Sequence, residues 1–254
     1  VASRSVTLSP ARARPARVLP RFRPPPEPAA PRAPRSPPTS RTPARRRRTG
    51  RPRRRRSTSE NQSPQFVVIL MPGGAGTLNP HINNEGKLQF DFAGNFLIRS
   101  RNRFCDSQFA TASTNSTESP ERMGALINDL GTRFPNAKIC MVGTSRSTYS
   151  TMGLAEKFDG KINCIIHTAS MNQIARFDTR KFKSRHLMVH HKNDPCHLTT
   201  YASTQSNNER YKTPLITMEG GSSTGDACQA FSYHGFNGIE QQTIDQIKAW
   251  IRAN

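Results

Sequence analysis

No stretch of this 254-residue chain approaches the roughly 18 consecutive apolar residues that a membrane-spanning helix requires. An apolar core of a secretory signal is likewise missing near its start. Acidic side chains are scarce, 17 Asp and Glu against 38 Lys and Arg, which gives a formal net charge of +21. Taken whole, that imbalance is the electrostatic footprint of a nucleic-acid binder. Its distribution argues otherwise. Residues 1 to 64 hold 18 Arg, no Lys and two acids, Glu27 and Glu60, whereas residues 65 to 254 hold 20 Lys and Arg against 15 acids. The basicity therefore belongs to the first quarter of the chain and says little about the remainder.

That first quarter also lacks aromatic residues apart from Phe22, and it carries 14 of the 20 prolines. Such a composition buries too little apolar surface to offset the entropy of ordering, so residues 1 to 64 are expected to be a disordered Arg/Pro-rich leader. Three readings fit it. Arg45 to Arg48 with Arg53 to Arg56 form tracts that would contact phosphates, with strong salt dependence. An Arg- and Ser-rich, acid-poor leader also fits a transit-like segment. The preferred reading is a mis-assigned start, because the residue set is that of GC-rich codons and the composition changes abruptly near Ser63-Pro64.

From Gln65 onward the sequence reads as one domain of 190 residues, long enough for a sizeable core. Phe66 to Met71 is a short continuous apolar run closed by Pro72-Gly73-Gly74, which suits a central parallel strand. Phe96 to Ile98 reads as the start of a second strand. Ser119-Pro120-Glu121 opens a helix with apolar residues at 123, 126, 127 and 130, before Pro135 ends it. Further strands are expected at Ile139 to Val142, Ile162 to His167, His186 to His191 and Pro214 to Met218, and a final helix at Ile239 to Ile251. Alternating strands and helices imply an α/β fold, a mostly parallel sheet of about six strands with helices on both faces. Ligands of such sheets bind beyond the carboxyl ends of the strands.

The candidate site grows from Lys138 to Met152, KICMVGTSRSTYSTM, a strand, a sharp turn and a helix. In Gly143-Thr144-Ser145-Arg146-Ser147 the serine at 145 stands where a strand-to-helix turn lifts its hydroxyl above the sheet edge. The G-x-S-x-G pattern asks for glycine at the last position, and Ser147 departs from it. A bland alternative makes Ser145 or Ser147 an N-cap only. Context favours the nucleophile elbow. Asp194 ends the strand after next, and His234 precedes the last helix, so Ser145, Asp194 and His234 follow in the order such a triad requires. An oxyanion would meet the backbone N–H of Arg146 and one from the glycine loop, Gly74 or Ala75.

On these segments the chain resembles the α/β-hydrolase superfamily, in particular a bacterial group of serine α/β-hydrolases with a GTSRG-type elbow. The other carriers are His190-His191-Lys192-Asn193-Asp194-Pro195-Cys196 and Cys228-Gln229-Ala230-Phe231-Ser232-Tyr233-His234-Gly235-Phe236-Asn237-Gly238-Ile239-Glu240. The resemblance covers residues 65 to 254 and implies a serine hydrolase fold without supplying a substrate. Only 48 residues separate Ser145 from Asp194 and 39 separate Asp194 from His234, so no lid domain is expected and the site should be open to solvent.

Cys140 and Cys164 lie in apolar strands and are expected as buried free thiols. Cys196, two residues after the acid, and Cys228, six before the base, are expected to form a disulfide that pins the two loops together. That bond would favour a periplasmic or secreted location; without it a cytoplasmic one is favoured. His190, His191, Asp194, Cys196 and His197 suggest a metal cluster, but neighbouring strand residues face opposite ways, so no metal is expected and no cofactor is called for. Asp178 is an alternative acid that lacks an apolar strand leading to it. The favoured reading is an esterase-like serine hydrolase acting on a small-molecule ester or amide. The competing one is a silent binding protein on the same scaffold, its leader contacting nucleic acid.

Overall fold

A computed structural model describes residues 63–115 and 117–253; the expectations for the leader lie outside them. The first strand, β1 (Phe66–Met71), is buried at every position. After a hairpin of β2 (His81–Ile82) and β3 (Leu88–Gln89) come two short helices, α1 (Phe96–Arg99) and α2 (Arg101–Phe104), then β4 (Phe109–Ala112). Then follow α3 (Pro120–Arg133), β5 (Lys138–Thr144), α4 (Ser147–Ala155), β6 (Cys164–Thr168), two short 3₁₀ turns, β7 (Arg185–His191), α5 (Tyr201–Tyr211), β8 (Leu215–Met218) and α6 (Glu240–Arg252). The six long strands pair in the order β4-β1-β5-β6-β7-β8, and every pairing is parallel.

Side chains along β1 alternate between two cores, as the two-residue period of a strand dictates. Val67, Ile69 and Met71 pack with Met123, Ile127 and Leu130 of α3 and with Leu154 of α4. Val68 and Leu70 pack on the other side with Phe96 and Leu97 of α1, Phe104 of α2 and Ile244, Ile247 and Ile251 of α6. Helices thus cover both faces, which explains why the strands read as unbroken apolar runs rather than as alternating ones. Helix α3 begins as the sequence suggests, with the Ser119 hydroxyl accepting from the Arg122 N–H and Pro120 in the first turn.

Three expectations change. Phe96 to Ile98 is a helical turn, not a strand: Asn95 caps it by accepting from the Leu97 N–H, and all three apolar side chains are buried. The second strand is instead β4, whose Phe-Ala-Thr-Ala sequence is short and only partly buried at the sheet edge. Cys140 and Cys164 are not free thiols. They face one another in the β5–β6 register and are joined as a disulfide, alongside the expected Cys196–Cys228 bond. Cys105 is free and exposed.

The strand order places the site. The chain runs from β1 outward to β4, then returns to lay β5 on the other side of β1. Between β1 and β5 the winding reverses, and the loops leaving the two strands part there, opening a crevice at their carboxyl ends. Met71, the last residue of β1, pairs with Gly143, one residue before the end of β5.

Candidate active site

The crevice is floored by the turn after β5. Ser145 adopts φ of 53°, a left-handed conformation that side chains rarely take and that marks a strained strand-to-helix turn. Neighbouring strands hold it there. The Ser145 N–H donates to Thr168 O at 3.1 Å, and the Thr168 hydroxyl donates to Gly143 O at 3.0 Å. At Gly143 a side chain would meet Thr151 Cγ2 at 2.7 Å, so this first glycine of the pattern is sterically required. The last position tolerates serine because the Ser147 hydroxyl has partners: it accepts from the Thr144 N–H at 2.8 Å and donates to Met71 O at 2.6 Å. The departure from glycine is therefore a bonded tie between β1 and the elbow.

Across the crevice lies the loop after β1. Gly73 approaches the elbow so closely that a Cβ would stand 2.8 Å from Thr144 O and 3.1 Å from Ser145 Cβ. Gly74 has φ of +62° with a Phe92 ring carbon 3.1 Å from where its Cβ would be. Gly73, Gly74, Ser145 and Arg146 all line one cleft of about 720 Å³. Ala75 lines a second cleft, which shares Gly74, Arg146 and Tyr149 with the first.

His234 lines the 720 Å³ cleft as well, from a single 3₁₀ turn (Tyr233–Gly235) before α6. Its Nδ1 lies 3.0 Å from Asp194 Oδ2, both side chains being almost wholly buried. A carboxylate only accepts, so Nδ1 donates and Nε2 is the ring nitrogen left to the cleft. Asp194 is held from several sides. Oδ2 also accepts from the Thr199 hydroxyl at 3.0 Å and from His190 Nε2 at 3.1 Å, and Oδ1 accepts from the Cys196 N–H at 2.9 Å. Burial alone would raise the Asp194 carboxyl; the hydrogen bonds from His190 and His234 and the electrostatic attraction of those rings outweigh it and hold the group well below the usual carboxylate range. The carboxylate is thus ionised with its lone pairs engaged. Among the described residues no hydrogen bond joins Ser145 to His234, and the two share the cleft without one.

The Cys196–Cys228 bond links the acid loop to a residue lining the cleft. Asp178 is far from such a role, capping a 3₁₀ turn and pairing with Arg180. His191 turns away from Asp194 and reaches Gly220 O at 2.9 Å. Among the described residues no group of three or more His, Cys, Asp or Glu is arranged to hold a metal, and no helix is long and apolar enough to cross a membrane.

The sequence places His190 only in a metal-like cluster and gives no sign of Thr199; their contacts with Asp194 depend on how the loop after β7 folds back. Nor does it mark Arg99, whose guanidinium donates to Gly94 O and to Gly235 O at 2.7 Å each and pairs with Glu240 at 2.9 Å. The cleft walls Phe92, Tyr149, Leu198 and Phe231 went unread too. Three of these, Tyr149, Leu198 and Phe231, are among the exposed large apolar side chains.

A strained serine between β5 and α4, a carboxylate after β7 and a histidine before the last helix, all on one parallel sheet, are a known arrangement. The chain has the α/β-hydrolase fold. Solved structures similar to it include Est1E from Butyrivibrio proteoclasticus in a complex with ferulic acid, at 14% identity, TM-score 0.51, over 77% of this chain and 93% of that one. A candidate α/β hydrolase from Agrobacterium tumefaciens is similar at 13% identity, TM-score 0.51, over 77% and 89% of the respective chains. The esterase domain of a Rhodothermus marinus protein is similar at 9% identity, TM-score 0.50, over 77% and 89%. No protein-family model matches the sequence, and no curated relative is found by sequence. The α/β-hydrolase sheet here carries no lid among the described residues: the segment from β7 to β8 holds only α5, and that from β8 to α6 only a 3₁₀ turn.

Proposed function

We propose that this α/β-hydrolase-fold protein is a serine hydrolase of carboxylic esters, with Ser145 as nucleophile, His234 as general base and acid, and Asp194 as the group that orients the imidazole. One observation carries the reading: His234 is bonded through Nδ1 to a buried, ionised Asp194 while lining the cleft that the strained Ser145 also lines. In the reaction His234 Nε2 takes the Ser145 proton as Oγ adds to the ester carbonyl. The tetrahedral oxyanion collapses to an acyl-serine, and the imidazolium returns the proton to the departing alkoxide. Water, deprotonated by the same nitrogen, then cleaves the acyl-serine and frees the acid.

The oxyanion is assigned to the N–H groups of Arg146 and Gly74. Neither donates to another backbone group or side chain among the described residues, and both residues line the cleft. Ala75, the other candidate, lines the second cleft, so Gly74 is the preferred donor. An apolar or aromatic acyl or alcohol group suits the walls of Phe92, Tyr149, Leu198 and Phe231. Esters are favoured over amides as the simpler demand on an open cleft, since an alkoxide is a better leaving group than an amide anion, whose nitrogen must be protonated before it departs.

The test is turnover of p-nitrophenyl esters by the full chain. Ser145→Ala and His234→Ala should each cost on the order of 10⁵- to 10⁶-fold in kcat. A folded wild-type protein that hydrolyses no ester, or a Ser145→Ala variant as active as wild type, would refute the assignment.

A further inference from the structure

His190 is the buried group that the proposed mechanism leaves unused. It stands on β7 four residues before Asp194, with no exposed surface, and its Nε2 lies 2.8 Å from Thr199 O and 3.1 Å from Asp194 Oδ2. A backbone carbonyl only accepts, so Nε2 carries the proton and donates to both oxygens. The other ring nitrogen, Nδ1, is buried with no hydrogen-bond partner. Burying a polar atom without a partner is unfavourable, and a native structure rarely keeps one without a reason.

The reason lies in what the forked N–H holds. Thr199 closes the acid loop, and its hydroxyl donates to the same Oδ2 and lies 3.0 Å from His234 Nδ1. One imidazole on β7 thereby ties together the start of the loop, its end and its carboxylate. Of the four donors round Asp194, three (His190, Thr199 and Cys196) come from its own strand and loop, and only His234 comes from outside.

We infer that His190 is a positioning residue for the hydrolase reaction: it fixes the Asp194 carboxylate so that Oδ2 faces His234, and it draws off part of the charge that Oδ2 would otherwise offer to the imidazolium. The inference rests on the proposed triad, and it makes a claim of its own. A residue that merely packs could be replaced by an apolar one without changing the protonation behaviour of the site. A donor to Oδ2 could not. Losing it leaves more charge on the oxygen bonded to His234, which favours the protonated imidazole, and the acid limb of the pH profile moves to higher pH.

The other charged or titratable groups near these rings stay constant in the comparison. They include the Arg99–Glu240 pair from α1 and α6, which reaches the Gly235 carbonyl, Arg146 in the same cleft, Tyr233 beside His234 with His191 stacked on its ring at 4.5 Å, and Tyr201 of α5, whose ring lies edge-on to His190 at 6.1 Å.

The experiment compares the full chain with His190→Leu, which removes the donor, and His190→Gln, whose amide keeps one at a similar reach; His190→Asn, too short to reach Oδ2, replaces Leu if that variant does not fold. The readouts are the pH profile of kcat/KM on p-nitrophenyl acetate and the downfield ring N–H proton resonances. We expect His190→Leu to lose about tenfold or more in kcat/KM, its acid limb moved to higher pH, with Gln nearer to wild type. We also expect one downfield resonance to vanish and the His234 Nδ1–H resonance to move. A His190→Leu protein with wild-type rate and an unmoved acid limb would overturn the inference. If wild type hydrolyses no ester, the triad reading fails by itself and the resonances decide: a His234 N–H signal unmoved by the loss of His190 overturns the positioning role, and a moved one upholds it.

Discussion

At position 147, two residues past the proposed nucleophile, a hydroxyl fills the space left for a glycine and bonds both β1 and the elbow. Replacing it by alanine removes the buried hydroxyl that accepts from the Thr144 N–H and donates to the Met71 carbonyl. Ser147→Ala should therefore destabilise the protein by about 1 to 3 kcal/mol, measured by urea unfolding. A second residue-scale consequence comes from His167 and His186, which stack within the sheet and bond ring to ring at 3.1 Å. Burial pushes His186 down from 6.5 to about 4, with Asp159 opposing weakly, and burial together with His186 pushes His167 well below its ordinary value. Unfolded, each ring takes a proton near pH 6.5, so below that pH the unfolded chain binds more protons than the folded one. The stabilisation is complete above about 6.5 and is lost as pH falls toward 4; for His186 alone it is on the order of 3 kcal/mol. Urea midpoints should drop between pH 7 and pH 4.5, and His186→Phe, packed against Phe177 and Phe182, should flatten that slope.

At the scale of elements, the loop bearing His234 is short and irregular, so its position depends on what braces it. Arg99 of α1 is one brace. It joins Gly94 on one cleft wall to Gly235 on the other and is itself held by Glu240 of α6, its guanidinium 5.4 Å from the centre of the Phe231 ring. Arg99→Met should lower kcat about tenfold or more by letting His234 drift, since small misplacements of a catalytic group are costly. Glu240→Gln, which keeps a hydrogen-bond acceptor, should do less; steady-state kinetics beside a thermal melt separates drift from unfolding. The Cys196–Cys228 bond is the other brace, because Cys196 also donates its N–H to Asp194. Removing both cysteines should cost roughly 3 to 4 kcal/mol in stability and reduce kcat, whereas removing Cys140 and Cys164, deep between β5 and β6, should affect stability alone. An equal loss of kcat from both pairs would contradict this division.

The same elements show what a sequence discloses. Strands β1, β5, β6 and β7 announce themselves as apolar runs because both of their faces are buried, and α3 and α6 by apolar residues at helical spacing. The order of Ser145, Asp194 and His234 is legible because loops at strand ends are fixed by chain order alone. Phe96 to Ile98 misleads because three apolar residues suit a strand or a buried helical turn equally; the Asn95 cap decides it. Edge strand β4 is too short and too small in side chain to stand out. The Cys140–Cys164 bond depends on the register between two strands, and the His190 fork on a loop returning to its own strand. Neither register nor return is written in local periodicity.

At the scale of the molecule, a parallel sheet with its winding reversed between β1 and β5 brings the glycine loop and the turn bearing Ser145 together at one edge, and the loops after the later strands bring Asp194 and His234 there too. With no lid among the described residues, the cleft opens directly to solvent. The most direct test of the account is to treat the full chain with a fluorophosphonate and locate the adduct by peptide mass spectrometry. A single modified residue, Ser145, is expected, with labelling abolished in Ser145→Ala and strongly slowed in His234→Ala. An adduct on another serine, or a folded protein that takes no label, would contradict it.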